Sequence, residues 1–256
     1  MPSKSYALSR RSSSKFPSKF GGRPGRLAAK PKRVPAVSSI DKRNSNFTRQ
    51  LGAPSNNGGF PLKKNVTLRY CQEFSVVGGA AVITNYIFRL NSIFDPDYAV
   101  GGHQPLGHDQ WAAIYETYRV NRAKITILPV SDAAGHTTPA LLTLGVRDRV
   151  TTLPTINSTD LFESSSYTSP IVIGPLGHDA YLRKLVQEVD IGKFTGVKDM
   201  SADTTLNATF GANPVEAVYG HVAVCPINGN TPGTHKFLAT IEYDCTFTDP
   251  KNLTQS

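Results

Sequence analysis

The chain is poor in three residue types, with three cysteines, two methionines and one tryptophan among 256 residues. The cysteines, Cys71, Cys225 and Cys245, are odd in number and lack CxxC spacing, which argues against a disulfide framework or a zinc site. Their place in apolar runs predicts buried free thiols. No stretch approaches the roughly 18 apolar residues of a membrane span, and the N-terminus lacks the apolar core of about 7–15 residues that a secretory signal needs. Neither a membrane partner nor secretion is expected. The signatures of a serine nucleophile (GxSxG), a zinc protease (HExxH) and a phosphate loop (GxxxxGKS/T) are missing too. The six histidines, at 103, 108, 136, 178, 221 and 235, are scattered, and no enzyme is expected.

One further absence says most. The first forty residues contain no Asp or Glu but ten cations: Lys4, Arg10, Arg11, Lys15, Lys19, Arg23, Arg26, Lys30, Lys32 and Arg33. Residues 41–50 add Lys42, Arg43 and Arg49 against Asp41, so residues 1–50 carry a net +12, whereas residues 51–256, with fifteen cations and eighteen acids, carry a net −3. A segment of Ser, Pro, Gly and cations has no apolar face to bury and is expected to be disordered alone. Each Lys or Arg that neutralises a phosphate releases condensed counterions, so these thirteen residues are the expected nucleic-acid contacts. Tyr6, Phe16 and Phe20 are the only aromatics among the first forty, which suits backbone neutralisation better than base readout. Lys30, Lys32 and Arg33 also form a candidate nuclear-import cluster.

Residues 51–63 (LGAPSNNGGFPLK) read as a linker, and a period-2 signal follows. In 66–76, Val66, Leu68, Tyr70, Phe74 and Val76 alternate with polar positions. A second run places Val82, Tyr86, Phe88 and Leu90 before Asn91. Further strands are expected at 122–130, 140–147, 181–191, 215–226 and 236–248, with weaker candidates at 170–173 and 204–210, about eight in all. Many strands separated by Gly/Pro-rich turns indicate an all-β sandwich. One helix is expected at 108–118, where Trp111, Ile114, Tyr115 and Tyr118 share a face across one end of that sandwich, and a short one at 160–166. Asp95 and Asp97 flank Pro96 in a turn-rich stretch. They read as turn formers, or as ligands for a hard cation such as Ca²⁺ at a seam between subunits. No other cofactor is expected.

The stretch 88–120 carries a resemblance. Asn91 with Phe94-Asp95-Pro96-Asp97, then Gly102-His103-Gln104-Pro105, then Asp109-Gln110-Trp111 leading to Tyr115 and Tyr118, resembles the capsid proteins of small circular Rep-encoding single-stranded DNA viruses. Similar single jelly rolls occur in the coats of satellite and other small plant RNA viruses. The resemblance implies an eight-stranded jelly-roll sandwich over 64–256, with sheets BIDG and CHEF. It also implies self-assembly into a small icosahedral shell, sixty copies in the T=1 form, with the basic arm of 1–50 inside on viral DNA. The virion is then the expected location, with the host nucleus or cytoplasm as the place of assembly. The competing expectation is a nucleic-acid-binding regulator that forms no particle.

Overall fold

The computed structural model describes residues 60–79, 82–99, 101–130, 138–151, 158–163, 166–174, 183–227 and 233–252. The thirteen cationic residues from Lys4 to Arg49 lie outside them.

Among the described residues nine strands run β1 (Lys63–Gly78), β2 (Thr84–Arg89), β3 (Tyr115–Val130), β4 (Ala140–Arg147), β5 (Ile171–Ile173), β6 (Leu185–Asp190), β7 (Asn207–Thr209), β8 (Tyr219–Pro226) and β9 (Gly233–Pro250). Among the described residues three short helices interrupt them: α1 (His108–Ala112), α2 (Ser158–Glu163) and α3 (Ile191–Thr195). One sheet has the order β1-β9-β3-β6, with β7 added beside β3, and the other has β2-β8-β4-β5. All the pairings are antiparallel. With β7 set aside, the eight remaining strands in chain order take places B to I, and the two sheets are BIDG and CHEF. The fold is the expected jelly roll.

Strand alternation builds the core between the sheets. Leu68, Tyr70, Phe74 and Val76 of β1 and Phe237, Ala239, Ile241, Tyr243, Cys245 and Phe247 of β9 are buried, facing Phe88, Leu142, Leu144, Val222 and Val224 of the other sheet. Each such Leu, Ile, Val or Phe contributes about 1.5–3 kcal/mol relative to exposure. Phe74 ties the layers together, with ring centroids 4.6 Å from Tyr86, 5.2 Å from Phe88 and 5.4 Å from Phe237. On the open face of the first sheet, Arg69 pairs with Glu242 at 2.6 Å and Lys124 reaches the same carboxylate at 3.6 Å. These exposed pairs are worth little each but keep that face solvated.

The second sheet differs because both its faces are covered. Leu161 and Phe162 of α2, with Tyr167, pack over Ala223, Cys225, Leu141 and Ile83. Two-sided burial explains why 140–147 and 219–226 read as near-continuous apolar runs rather than as alternation. Tyr167 lies opposite Gly145 in a bridge, and a Cβ at position 145 would sit 2.4 Å from the tyrosine ring. Gly145→Ala is therefore expected to cost about 1–3 kcal/mol by overpacking. Urea unfolding checks it, and Tyr167→Leu in the same chain should recover part of the loss.

His221, fully buried in β8, is held neutral between Asn85 Nδ2 on Nδ1 (3.0 Å) and the Arg149 carbonyl on Nε2 (2.8 Å). Burial lowers its pKa from the ordinary 6.5, and nearby Arg147 lowers it further against the raising effect of the Arg149 carbonyl. The unfolded chain then takes up this proton at a higher pH than the folded chain. Stability is complete above pH ~6.5 and falls as the pH drops from there toward the lowered value. Urea midpoints at pH 7.5 and 5.5 should show this loss, and His221→Gln should reduce the difference.

Three expectations are corrected. The helix ends at Ala112, not at 118, and Tyr115 and Tyr118 begin β3, where they are paired with Pro250 and Phe247 of β9. Their i, i+3, i+4 spacing mimics a helical face, but a long ladder to β9 satisfies more backbone groups than two further helical turns. Cys71 is exposed, whereas Cys225 and Cys245 are buried and free as expected. The alternation that buries Tyr70 turns Cys71 outward beside Arg69 and Glu73. The strands expected at 181–191 and 215–226 are shorter, because Ile191 opens α3 and residues 215–218 form a loop pinned by side chains.

Candidate functional site

The motif-bearing segment after β2 crosses one end of the sandwich and returns through α1 into β3, held by a buried polar network. Asp97, 2% exposed, is saturated with donors: Tyr86 Oη (2.6 Å) and Gln72 Nε2 (2.7 Å) on Oδ2, and the Ala99 amide (2.9 Å) on Oδ1. Tyr70 Oη donates in turn to Gln72 Oε1. Burial first, then the Asp97 charge, pushes the Tyr70 phenol well above its usual range, and for Tyr86 the hydrogen bond to Asp97 adds to burial, so both remain donors. Arg89 Nη1 donates to Asp95 Oδ2 (2.7 Å) and to the carbonyls of Asp95 and Asp97 (both 3.0 Å), and its guanidinium lies 4.7 Å from the Tyr98 ring centre. The two carboxylates singled out in the sequence are thus turned to protein donors. No group of three His, Cys, Asp or Glu suited to a metal occurs among the described residues.

A second set of bonds joins this segment to the loop before β8. Asn91 donates to the Glu216 carbonyl (2.7 Å) and accepts from the Val218 amide (2.9 Å), so one side chain does the work of a neighbouring strand. Ser92 Oγ donates to Asn213 Oδ1 (2.6 Å), and Tyr118 Oη donates to the Ala212 carbonyl (2.9 Å). Burial raises the Tyr118 pKa to about 12, with partial relief from Ser92. The His103 ring lies tilted 4.7 Å from the Tyr70 ring, and buried His108 meets Asp109 at 2.9 Å through Nδ1 while its ring edges onto Phe210. The two histidines have separate neighbours.

Trp111 of α1 packs 5.4 Å from Phe247 and 6.2 Å from Tyr115, half-buried, as a clamp over the sandwich end. Trp111→Ala is expected to cost about 2 kcal/mol, below the ~3–5 kcal/mol of a fully buried aromatic. Denaturant titration followed by circular dichroism measures it.

Chemically, this arrangement holds shape. Asp97, the one buried carboxylate among the described residues, accepts from three donors of the protein itself. Gln72, Arg89, Tyr98, Asn213 and Glu216 were not legible in the sequence, because each acts on a partner supplied by a different loop or strand. Among the described residues no helix is long and apolar enough to cross a membrane.

No family model matches the sequence, and no curated protein matches it. Distant similarity links the chain to solved virus structures. They include the empty head of turnip yellow mosaic virus, with 9% identity over 90% of this chain and 93% of that one and a TM-score of 0.41. Mud crab tombus-like virus gives 13% identity, coverage of 90% and 94%, and a TM-score of 0.41. The semi-empty virus-like particle of the Macrobrachium rosenbergii nodavirus gives 10%, coverage of 80% and 100%, and 0.42. At this distance the strand order itself, not the likeness, carries the fold assignment.

Proposed function

We propose that the chain is a viral coat protein, a structural rather than catalytic molecule that assembles into an icosahedral shell and retains the genome through residues 1–50. One observation carries the reading: a BIDG/CHEF jelly roll follows directly on a segment of net +12. A polycation of that density needs a polyanion, and a sandwich with open sheet edges and exposed end loops gains by covering them with further copies. The finer reading, a circular single-stranded DNA genome in a sixty-copy T=1 particle with Lys30, Lys32 and Arg33 directing nuclear import, rests on the 88–120 motif string and the basic cluster. A small RNA or satellite virus coat, which shares the single jelly roll, is the alternative within the same function.

Expression of the chain alone, with negative-stain microscopy and light scattering, tests the proposal. Uniform particles holding nuclease-protected nucleic acid are expected. Monomers or dimers across pH, salt and Ca²⁺ would overturn the shell and favour a nucleic-acid-binding regulator. Assembly compared in Ca²⁺ and in chelator tests a seam role for Asp95 and Asp97, and sequencing of the packaged strand separates DNA from RNA.

A further inference from the structure

Strand β1 is a free edge of the first sheet. β9 pairs with one side of it, and among the described residues neither a strand nor a backbone hydrogen bond from any other segment takes the other side. The segment 97–107 meets β1 through inward side chains, His103 against Tyr70 and Asp97 against Gln72. Soluble proteins blunt such an edge by making it short, by a proline or bulge, or by charges along it. β1 runs for sixteen residues (KKNVTLRYCQEFSVVG) without proline, in unbroken register with β9 from Lys63 opposite Thr248 to Gly78 opposite Gly233. Its charges, beyond Lys63 and Lys64 at one end, are Arg69 and Glu73.

The open face shows what this edge can take. Across one row of the sheet, Glu188 of β6, Lys124 of β3, Glu242 of β9 and Arg69 of β1 stand opposite one another in turn. The signs alternate and stop at Arg69, whose side chain is 68% exposed and uses Nη2 on Glu242. A guanidinium has five N–H donors, so Arg69 can hold a second carboxylate on its open side. Glu73 lies opposite Leu238, with Lys236 on the diagonal opposite Ser75. Cys71 is midway between Arg69 and Glu73. A two-fold axis through Cys71, with β1 antiparallel to its copy, therefore sets each Arg69 opposite the other copy's Glu73. The same axis sets Thr67 opposite Ser75 on the open face, and Val66 opposite Val76 and Leu68 opposite Phe74 on the buried one. An axis through Arg69 or Glu73 would oppose like charges, and one through Tyr70 or Gln72 would leave the two charges apart.

We infer that β1 pairs antiparallel with β1 of a second copy about a two-fold axis at Cys71, joining the two first sheets into one continuous sheet. Length and charge select this occupant. Among the described residues the other outer strands are β2 and β6, six residues each, and β5 and β7, three each, so none of them covers half of β1. A second β1 covers residues 65–77 with opposite charges and matched apolar positions. The preceding stretch LGAPSNNGG, residues 51–59, contains one proline and three glycines and is poor material for a pairing strand. A contact of this kind uses the same surface on both copies and closes as a dimer. It does not rest on the shell reading: an icosahedral particle has two-fold axes that can hold it, and a regulator would be a dimer through it.

The test uses the full chain, treated with nuclease to remove association through nucleic acid. Mild oxidation, or a short bismaleimide, should link Cys71 of one copy to Cys71 of the other in most chains on a denaturing gel. Cys71→Ser should abolish the link, because Cys225 and Cys245 are buried. Glu73→Arg alone and Arg69→Glu alone each set like charges across the axis and should lower the linked fraction at least tenfold. An equimolar mixture of the two variants restores both opposite-charge pairs and should recover the link as a heterodimer, which misfolded variants could not do. In the Cys71→Ser background, Thr67→Cys mixed with Ser75→Cys should link, and neither should link alone, since two copies of position 67 lie about 27 Å apart in this register. A parent chain without the Cys71 link, or single charge variants that link as well as their mixture, overturns the pairing. Particles that form without the link overturn the pairing and leave the shell reading standing; linked dimers that grow into no particle support the pairing and overturn the shell.

Discussion

Removal of residues 1–50 is expected to abolish nucleic-acid retention while leaving the sandwich folded. Every buried hydrophobic residue of the described core lies at Leu68 or beyond, and the sequence of 1–50 offers no periodic apolar face. The truncation removes thirteen of the twenty-eight cations and turns a net +9 chain into a net −3 one. If 6–10 of those cations meet phosphates, the intact chain should lose about 10³–10⁵ in affinity between 50 and 200 mM salt. The truncated chain should bind weakly at the lower salt and show almost no salt dependence. Fluorescence anisotropy with a labelled oligothymidylate, run on both chains at matched ionic strength, gives the two slopes. Equal affinity of the two chains would refute the assignment of the arm.

Asp97→Ala is expected to be the most damaging single substitution in the end network. The carboxylate accepts from Tyr86, Gln72 and the Ala99 amide in a nearly dry site. Alanine leaves all three donors without their acceptor and opens a cavity beneath the 95–99 turn. Removing one partner from a buried charged cluster costs about 3–5 kcal/mol. Asp97→Asn should cost less, because it preserves volume and keeps one acceptor oxygen. Urea unfolding of both variants, with Tyr86→Phe as a check on the strongest single bond, separates the contributions. An Asp97→Ala midpoint within error of the parent would show that solvent replaces the lost acceptor.

The fold was legible because burial on one side of a strand writes a period of two. Residues 66–76 and 236–248 show it plainly, and both strands are found there with the expected inward residues. The rule failed where two patterns compete. At 111–118, aromatic spacing suggested a helix, and only the partner strand β9, more than a hundred residues away, decides that Tyr115 and Tyr118 are extended. The short runs at 171–173 and 207–209 were weak in sequence because three residues carry almost no period, and each is a strand only through its neighbour.

The candidate site divides the same way. Asp95, Asp97, Asn91 and Trp111 drew notice as a local string, and the string does form one connected end of the molecule. Their roles did not follow from it. Asp97 acquires Gln72 from β1 and Tyr86 from β2, and Asn91 acquires the backbone of residues 216–218, across sequence separations of 25, 11 and 125–127 residues.

By itself, then, the sequence determined the charge division between residues 1–50 and the remainder, the strand-rich class and the inward set of each long strand, since composition and period-2 burial act locally along the chain. Only the tertiary structure decided the end of α1 and the covering of the outer face of β4 and β8 by α2 and Tyr167. Each of these depends on which distant backbone supplies a hydrogen bond or which distant surface excludes water, and no local pattern encodes that choice.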